Sequence, residues 1–214
     1  MATKKKTAKR KIIPPVRYNQ YNQPKDKIIR LDLGCGKNKR KDGEWIGVDI
    51  MDFEGVDVVT DLSKKKWPWK DGSVDFVHAS HFVEHLKPEE RVHFVNELYR
   101  VLKNPVYKDG VLITGQASII VPHWASQRAY GDLTHQWPPV SEFWFYYLDK
   151  DWRAVNAPHN VDYTCDFKSV WGYNMHPEIQ SRNPEFQQDA MKWKKEACSD
   201  LMANLEKKIV GVNA

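Results

Sequence analysis

Apolar residues in this chain come in short runs that end on glycine or on an acid. Ile28-Ile-Arg-Leu-Asp-Leu-Gly-Cys-Gly36 carries one acid, Asp32, and breaks at Gly34 and Gly36. Such a run reads as a buried parallel strand that turns sharply and lets a ligand approach bare backbone. Trp45-Ile-Gly-Val-Asp49 and Val56-Asp-Val-Val-Thr-Asp61-Leu62 read as the second and third strands, each closing on a carboxylate. Pro88 opens a helix with Glu89 and Glu90 in its first turn and Val92, Val95, Leu98 and Leu102 along one face. Val111 to Val121 reads as a long fifth strand broken by Gly115, and Thr164 to Trp171 as a later one. Pro184 to about Lys208 reads as a polar helix with Trp193, Ala197, Leu201 and Leu205 as its burial stripe.

An acid at the end of the second strand of a doubly wound sheet meets ribose hydroxyls, so the strand ends predict a nucleoside-bearing ligand. The dinucleotide fingerprint needs a third glycine, but Gly34 and Gly36 are followed by Lys37-Asn38-Lys39. The phosphate-cradling G-x-x-x-x-G-K-[ST] loop is absent as well.

Asp32-Leu-Gly-Cys-Gly36 instead resembles the first motif of the class I S-adenosylmethionine-dependent methyltransferases. Later segments resemble the family in the same order: Trp67-Pro-Trp-Lys-Asp-Gly-Ser73-Val-Asp75-Phe-Val77, His78-Ala-Ser-His-Phe-Val-Glu-His85-Leu86, Glu97 to Lys103, and Gly110 to Ile113 opening the fifth strand. The resemblance spans Ile28 to about Val121 and implies a Rossmann-like α/β fold: a doubly wound, mostly parallel sheet in a single domain, with a C-terminal helix. One departure stands out. Lys37 to Glu44 is too short and too charged to bury a helical face, so the usual first helix is reduced to a turn. That resembles a subgroup of bacterial and phage methyltransferases, with Ile12 to Val16 or the C-terminal helix left to cover the exposed sheet face.

The resemblance implies S-adenosyl-L-methionine as cofactor. Asp32, Gly34, Cys35 and Gly36 would hold its methionine part, with Ser80 nearby. Asp49 would hold the ribose, Ile50 and Met51 would pack on adenine, and Asp61 and Leu62 would meet the adenine edge. A cap on the Asp61-Leu-Ser-Lys turn is the competing role for Asp61. His81 should face the cofactor mouth and is a further candidate catalytic group.

Pro122 to His135, rich in His, Arg, Asp and aromatics, resembles an active-site segment of the same subgroup. His123, Asp132 and His135 are its candidate catalytic groups, with His135 or His123 as base. Arg128, Trp124 and Trp137 are candidate acceptor contacts, and Phe143 to Tyr147 reads as an aromatic lid. His81-Phe-Val-Glu-His85 matches the H-x-x-E-H spacing of a zinc protease helix, but it follows a buried strand, so no metal is expected.

The net charge of +5 is concentrated at the start, where Lys4, Lys5, Lys6, Lys9, Arg10 and Lys11 leave the rest near neutral. Residues 1–23 therefore read as a disordered, solubilising tail, with nucleic-acid contact as the alternative role. Residues 24–214 form the methyltransferase domain, with a cofactor half to 121 and an acceptor half from 122. Cys35, Cys165 and Cys198 show no pairing pattern. No apolar run of spanning length occurs, so a cytoplasmic protein without membrane contact is expected. The expected activity is methyl transfer to a small molecule or to a group on a larger one. A nucleic-acid methyltransferase and a non-catalytic cofactor-binding partner subunit are the alternatives.

Overall fold

The computed structural model describes residues 28–208, so the basic tail and the Ile12–Val16 segment lie outside the described residues. Nine strands occur in chain order: β1 (Arg30–Leu33), β2 (Ile46–Asp49), β3 (Val58–Val59), β4 (Phe76–Ser80), β5 (Val106–Lys108), β6 (Val111–Ile113), β7 (Gln116–Pro122), β8 (Phe167–Met175) and β9 (Cys198–Lys207). Six helices accompany them: α1 (Pro88–Val101), α2 (Arg128–Gly131), α3 (Glu142–Tyr146), α4 (Lys150–Asn156), α5 (Pro177–Gln180) and α6 (Pro184–Trp193).

Seven strands form one sheet in the order β3-β2-β1-β4-β7-β9-β8. The first five are parallel, and β9 runs antiparallel to both its neighbours. This is the Rossmann-like, doubly wound, mostly parallel sheet. Chain order reverses between β1 and β4, and ligands of such sheets sit outside the carboxyl ends of the strands at that point.

Burial explains the strand sequences. Leu31, Leu33, Val48, Val77, Ala79 and Ile119 are buried and share one core with Phe94, Val95, Leu98 and Leu102. α1 begins at Pro88, and Glu90 Oε2 accepts the Lys87 backbone N–H at 3.0 Å, which fixes its first turn.

No helix links β1 to β2. The linking loop is pinned by polar contacts instead. Asp32 Oδ2 accepts the Arg40 amide at 2.8 Å, and Lys39 Nζ reaches Asp57 Oδ2 at 2.9 Å. The Arg40 guanidinium lies 4.8 Å from the Trp45 ring and 3.3 Å from His78 Nδ1. His78 is buried, and burial followed by the Arg40 charge pushes its pKa down to about 4.

Three expectations are corrected. The polar helix ends at Trp193, which is exposed, and Cys198–Lys207 is the central antiparallel strand β9. Leu201, Ala203 and Leu205 are buried while Met202 and Asn204 are exposed. Positions four apart satisfy a strand's period of two as well as a helical stripe, and here the sheet won. The shortened helix does not cover the β1–β2 face either; it borders Trp124, Glu142 and Tyr173 at the other end of the sheet. The fifth strand of the sheet, β7, starts at Gln116 rather than Gly110. Val111–Ile113 pairs back on Val106–Lys108 as an exposed hairpin turned by Asp109 (φ 51°) and Gly110 (φ 77°). An Asp-Gly pair between apolar triplets is a hairpin signal.

Candidate active site

A cleft of ≈ 380 Å³ opens at the carboxyl ends of β1, β2 and β4. Its lining includes Gly34, Asp49, Ile50, Asp61, Leu62 and His81. Asp49 is fixed from two sides: Oδ2 accepts the Gly36 amide at 2.9 Å and Oδ1 accepts the Met51 amide at 2.9 Å. Gly34 (φ 66°) and Gly36 (φ 52°) adopt left-handed backbone. They differ in surroundings. A Cβ at Gly34 would lie 2.4 Å from the Phe82 ring, whereas a Cβ at Gly36 would meet nothing within 4 Å. The backbone at Gly36 is therefore open to a ligand.

Asp61 Oδ1 accepts both the Ser63 amide at 2.9 Å and the Ser63 hydroxyl at 2.6 Å. Those bonds hold its carboxyl below the usual range and make it a turn cap, while its place in the cleft wall leaves Oδ2 outside that turn. Leu62 is buried, and its carbonyl accepts the Trp67 indole N–H at 3.1 Å. Ile50 and Met51 are exposed at the rim. Asp32, Cys35, Gly36, Met51 and Ser80 sit outside the cleft lining, Gly36 being tied to it by its bond to Asp49. Asp32 is buried beneath the glycine turn, where burial raises its pKa. Cys35 is buried too, and its thiol is pushed up to about 11.

Thr60, Ser63, Phe82, His85, Leu86 and Glu90 also line the cleft and were not singled out from sequence for contact. The order of strand ends was the only signal available for them. His81 adopts φ 52°, an unusual conformation for a non-glycine residue. Its Nδ1 lies 3.3 Å from Glu84 Oε1, and the Glu84 carboxylate, with help from Asp200, raises its pKa.

The 123–137 segment is placed less simply. His123 is buried, and both ring nitrogens are engaged: Nδ1 accepts the Ala125 amide at 3.2 Å and Nε2 faces Glu142 Oε1 at 3.1 Å. It lies outside the cleft lining, as do Arg128, Trp124 and Trp137. Arg128 Nη1 donates to the buried Asp200 Oδ1 at 2.9 Å, and Trp124 Nε1 donates to Glu142 Oε2 at 3.0 Å. Trp137 is exposed and leans toward Tyr130. Asp132 is turned onto Thr134, accepting its amide at 2.8 Å and its hydroxyl at 2.7 Å. His135 also lies outside the cleft lining, but its ring packs edge-on at 4.7 Å against His85, which lines the cleft. Of the aromatic group, Phe145 is core, and Tyr146 stacks on Trp152 at 5.6 Å. Val83–His85 is a single 3₁₀ turn, so His81 and His85 do not share an α-helical face.

Among the described residues, no helix is long and apolar enough to cross a membrane. Residues 31–108 match the sequence model of a methyltransferase domain. No curated protein matches the chain. A solved S-adenosylmethionine-dependent methyltransferase from Archaeoglobus fulgidus is similar in fold, with a TM-score of 0.57 at 20% identity over 84% of this chain and 86% of that one. Another from Mesorhizobium loti gives 0.46 at 16% identity over 84% and 91%. The segment 31–108 thus carries a methyltransferase-domain sequence pattern on a Rossmann-like, mostly parallel sheet, the fold this chain shares with the Archaeoglobus protein.

Proposed function

We propose that the cleft between Gly34, Asp49 and Asp61 holds S-adenosyl-L-methionine, and that the methyl group passes to an acceptor entering past His81. The observation that carries this reading is the open backbone at Gly36 beside a carboxylate already bonded to its amide. The donor set suits the ligand. Asp49 keeps acceptor capacity for two vicinal hydroxyls after its bonds to backbone. Asp61 Oδ2 is an acceptor for an exocyclic amine, and exposed Ile50 and Met51 supply an apolar rim for a flat base. Asp32 acts from below by holding the Arg40 loop, which keeps the glycine turn in shape.

When bound, the cofactor supplies a methyl group already activated on a sulfonium. The chain's own task is then positioning and exclusion of water, for which orientation contributes roughly 7–11 kcal/mol. Phe82, seated against Gly34, forms an apolar floor. His81 is the group placed to hold or pass on a proton from an acceptor that must lose one. His123 and Arg128 act as positioning residues, tying the acceptor-side segment to Glu142 and Asp200. The acceptor class favoured is a small molecule or an accessible group on a larger one. The cleft lining comes wholly from the cofactor half, and the acceptor half reaches it through His135, which packs on the cleft residue His85.

Calorimetric titration with S-adenosylmethionine and S-adenosylhomocysteine tests the cofactor reading, with one site per chain expected. Incubation with methyl-labelled cofactor and fractionated cell extract tests the acceptor. Label in the small-molecule fraction is expected, and label confined to nucleic acid would reverse the acceptor assignment.

A further inference from the structure

One cluster at the cleft wall is unexplained by cofactor binding. Glu84 is 4% exposed, and neither carboxylate oxygen completes a hydrogen bond. A buried carboxylate without donors is costly and normally has a partner. The cations nearby do not fully supply one. His81 Nδ1 approaches Oε1 to 3.3 Å off line, and the Arg91 guanidinium donates to the Pro138 carbonyl at 2.6 Å and the Gln136 carbonyl at 3.0 Å. Donor atoms of Glu84, His85 and His135 all lie within 4.8 Å of one another.

The two rings are held in matching tautomers. The Thr134 hydroxyl donates to Asp132 Oδ1 at 2.7 Å, so its oxygen is left to accept from His85 Nδ1 at 2.9 Å. His135 Nδ1 stands 3.2 Å from the Ala129 carbonyl, which only accepts. Each ring thus carries a proton on Nδ1 and turns Nε2 away from these partners, His135 Nε2 standing 4.0 Å from Asp132 Oδ2. Outer partners that fix imidazole in this way are characteristic of metal ligands. The backbone builds the arrangement as well: the Gln136 amide donates to the Glu84 carbonyl at 2.8 Å, stapling the segment that carries His135 onto the 3₁₀ turn.

We propose that Glu84, His85 and His135 bind a divalent first-row transition-metal ion of the zinc type at the wall of the cleft. Two imidazoles and one carboxylate are a zinc donor set with one position open, whereas calcium and magnesium favour oxygen ligands. Bonds of about 2.0–2.2 Å need the three donor atoms to draw in by roughly an ångström or less. His85 also lines the cleft, so the ion borders the place where an acceptor enters. This proposal runs against the expectation of no metal. The H-x-x-E-H spacing does not reveal the site, because the site needs His135, 50 residues beyond His85. The site stands independently of the cofactor reading, because it uses neither Asp49 nor Asp61.

Chelator-stripped full-length protein, free of cofactor, is titrated with zinc and, separately, with magnesium, and bound metal is counted by elemental analysis. One zinc per chain is expected, with magnesium much weaker. Glu84→Gln, His85→Ala and His135→Ala should each lower zinc affinity by at least tenfold. Circular dichroism reports whether each variant folds, and the two half-buried histidines carry the test if Glu84→Gln does not. Absence of stoichiometric zinc, or zinc retained at wild-type affinity in folded His85→Ala and His135→Ala, overturns the proposal. Failure of the cofactor titration would leave this result untouched.

Discussion

Asp49 Oδ2 accepts the amide of Gly36 at 2.9 Å across the gap between β2 and the turn after β1. One carboxylate thus sets the shape of the glycine turn and faces the cleft. Removing it withdraws a charged acceptor from the ribose side and frees the turn. A hydrogen bond to a charged group contributes about 1.5–3 kcal/mol, and two hydroxyls are involved. Asp49→Ala should weaken S-adenosylmethionine binding by roughly 100-fold or more. Asp49→Asn, which still accepts from Gly36, should lose less. Calorimetry on both variants checks this; equal affinity in wild type and Asp49→Ala would remove Asp49 from the site.

The two glycines of the turn predict opposite phenotypes. Gly34→Ala puts a methyl 2.4 Å from the Phe82 ring at φ 66°. Left-handed backbone and overpacking together should destabilise the fold by about 2–5 kcal/mol. Gly36→Ala has φ 52° but open space, so its cost is the backbone term alone, about 1–2 kcal/mol. Its methyl would project into the region assigned to the cofactor. Chemical denaturation should rank Gly34→Ala as the less stable, while ligand titration should show Gly36→Ala folded and deficient in binding.

These contrasts mark what was legible in the sequence. β1 and β2 are largely buried, so each appears as an apolar run with a sharp end, and each lies within a few residues of its expected place. Asp49 and Gly34 were readable because position in a doubly wound sheet determines their neighbours. The antiparallel β8–β9 pair was not, since Leu201 and Leu205 fit two periods at once. The 123–137 segment showed the limit most clearly. Its residue types announce chemistry, yet the contacts that distinguish His123 from His135 run to Glu142 and to His85, far along the chain in opposite directions.

His78 predicts acid sensitivity. Its folded pKa is about 4 against 6.5 for the free side chain, because burial and the Arg40 charge oppose protonation. Between those values the unfolded chain takes up a proton that the folded chain refuses. Stability therefore falls as pH drops from about 6.5 to about 4, by up to about 3 kcal/mol. Imidazole NMR should give a His78 midpoint near 4, and His78→Leu should flatten the acid limb of the stability curve relative to wild type. A midpoint near 6.5 would mean that the Arg40 loop leaves this face of the sheet open to water.

Lys207 makes the opposite prediction at alkaline pH. It is 7% exposed on β9, with Nζ donating to the Leu102 carbonyl at 3.0 Å and to Asn104 Oδ1 at 2.7 Å. Burial lowers its pKa from 10.5 to about 8. Above pH 8 the folded chain releases this proton while the unfolded chain keeps it, so this lysine adds stability as pH rises toward 10.5, by up to about 3 kcal/mol. Cys165 and Cys198, pushed up to about 12, act the other way, because the unfolded chain ionises first. The raw curve mixes these effects, but the difference between wild type and Lys207→Met isolates the lysine. That difference should be smallest in wild type's favour near neutrality and should grow through pH 8–10.5. A difference that stays flat over this window would show that Lys207 keeps its ordinary pKa and remains charged beside Leu102.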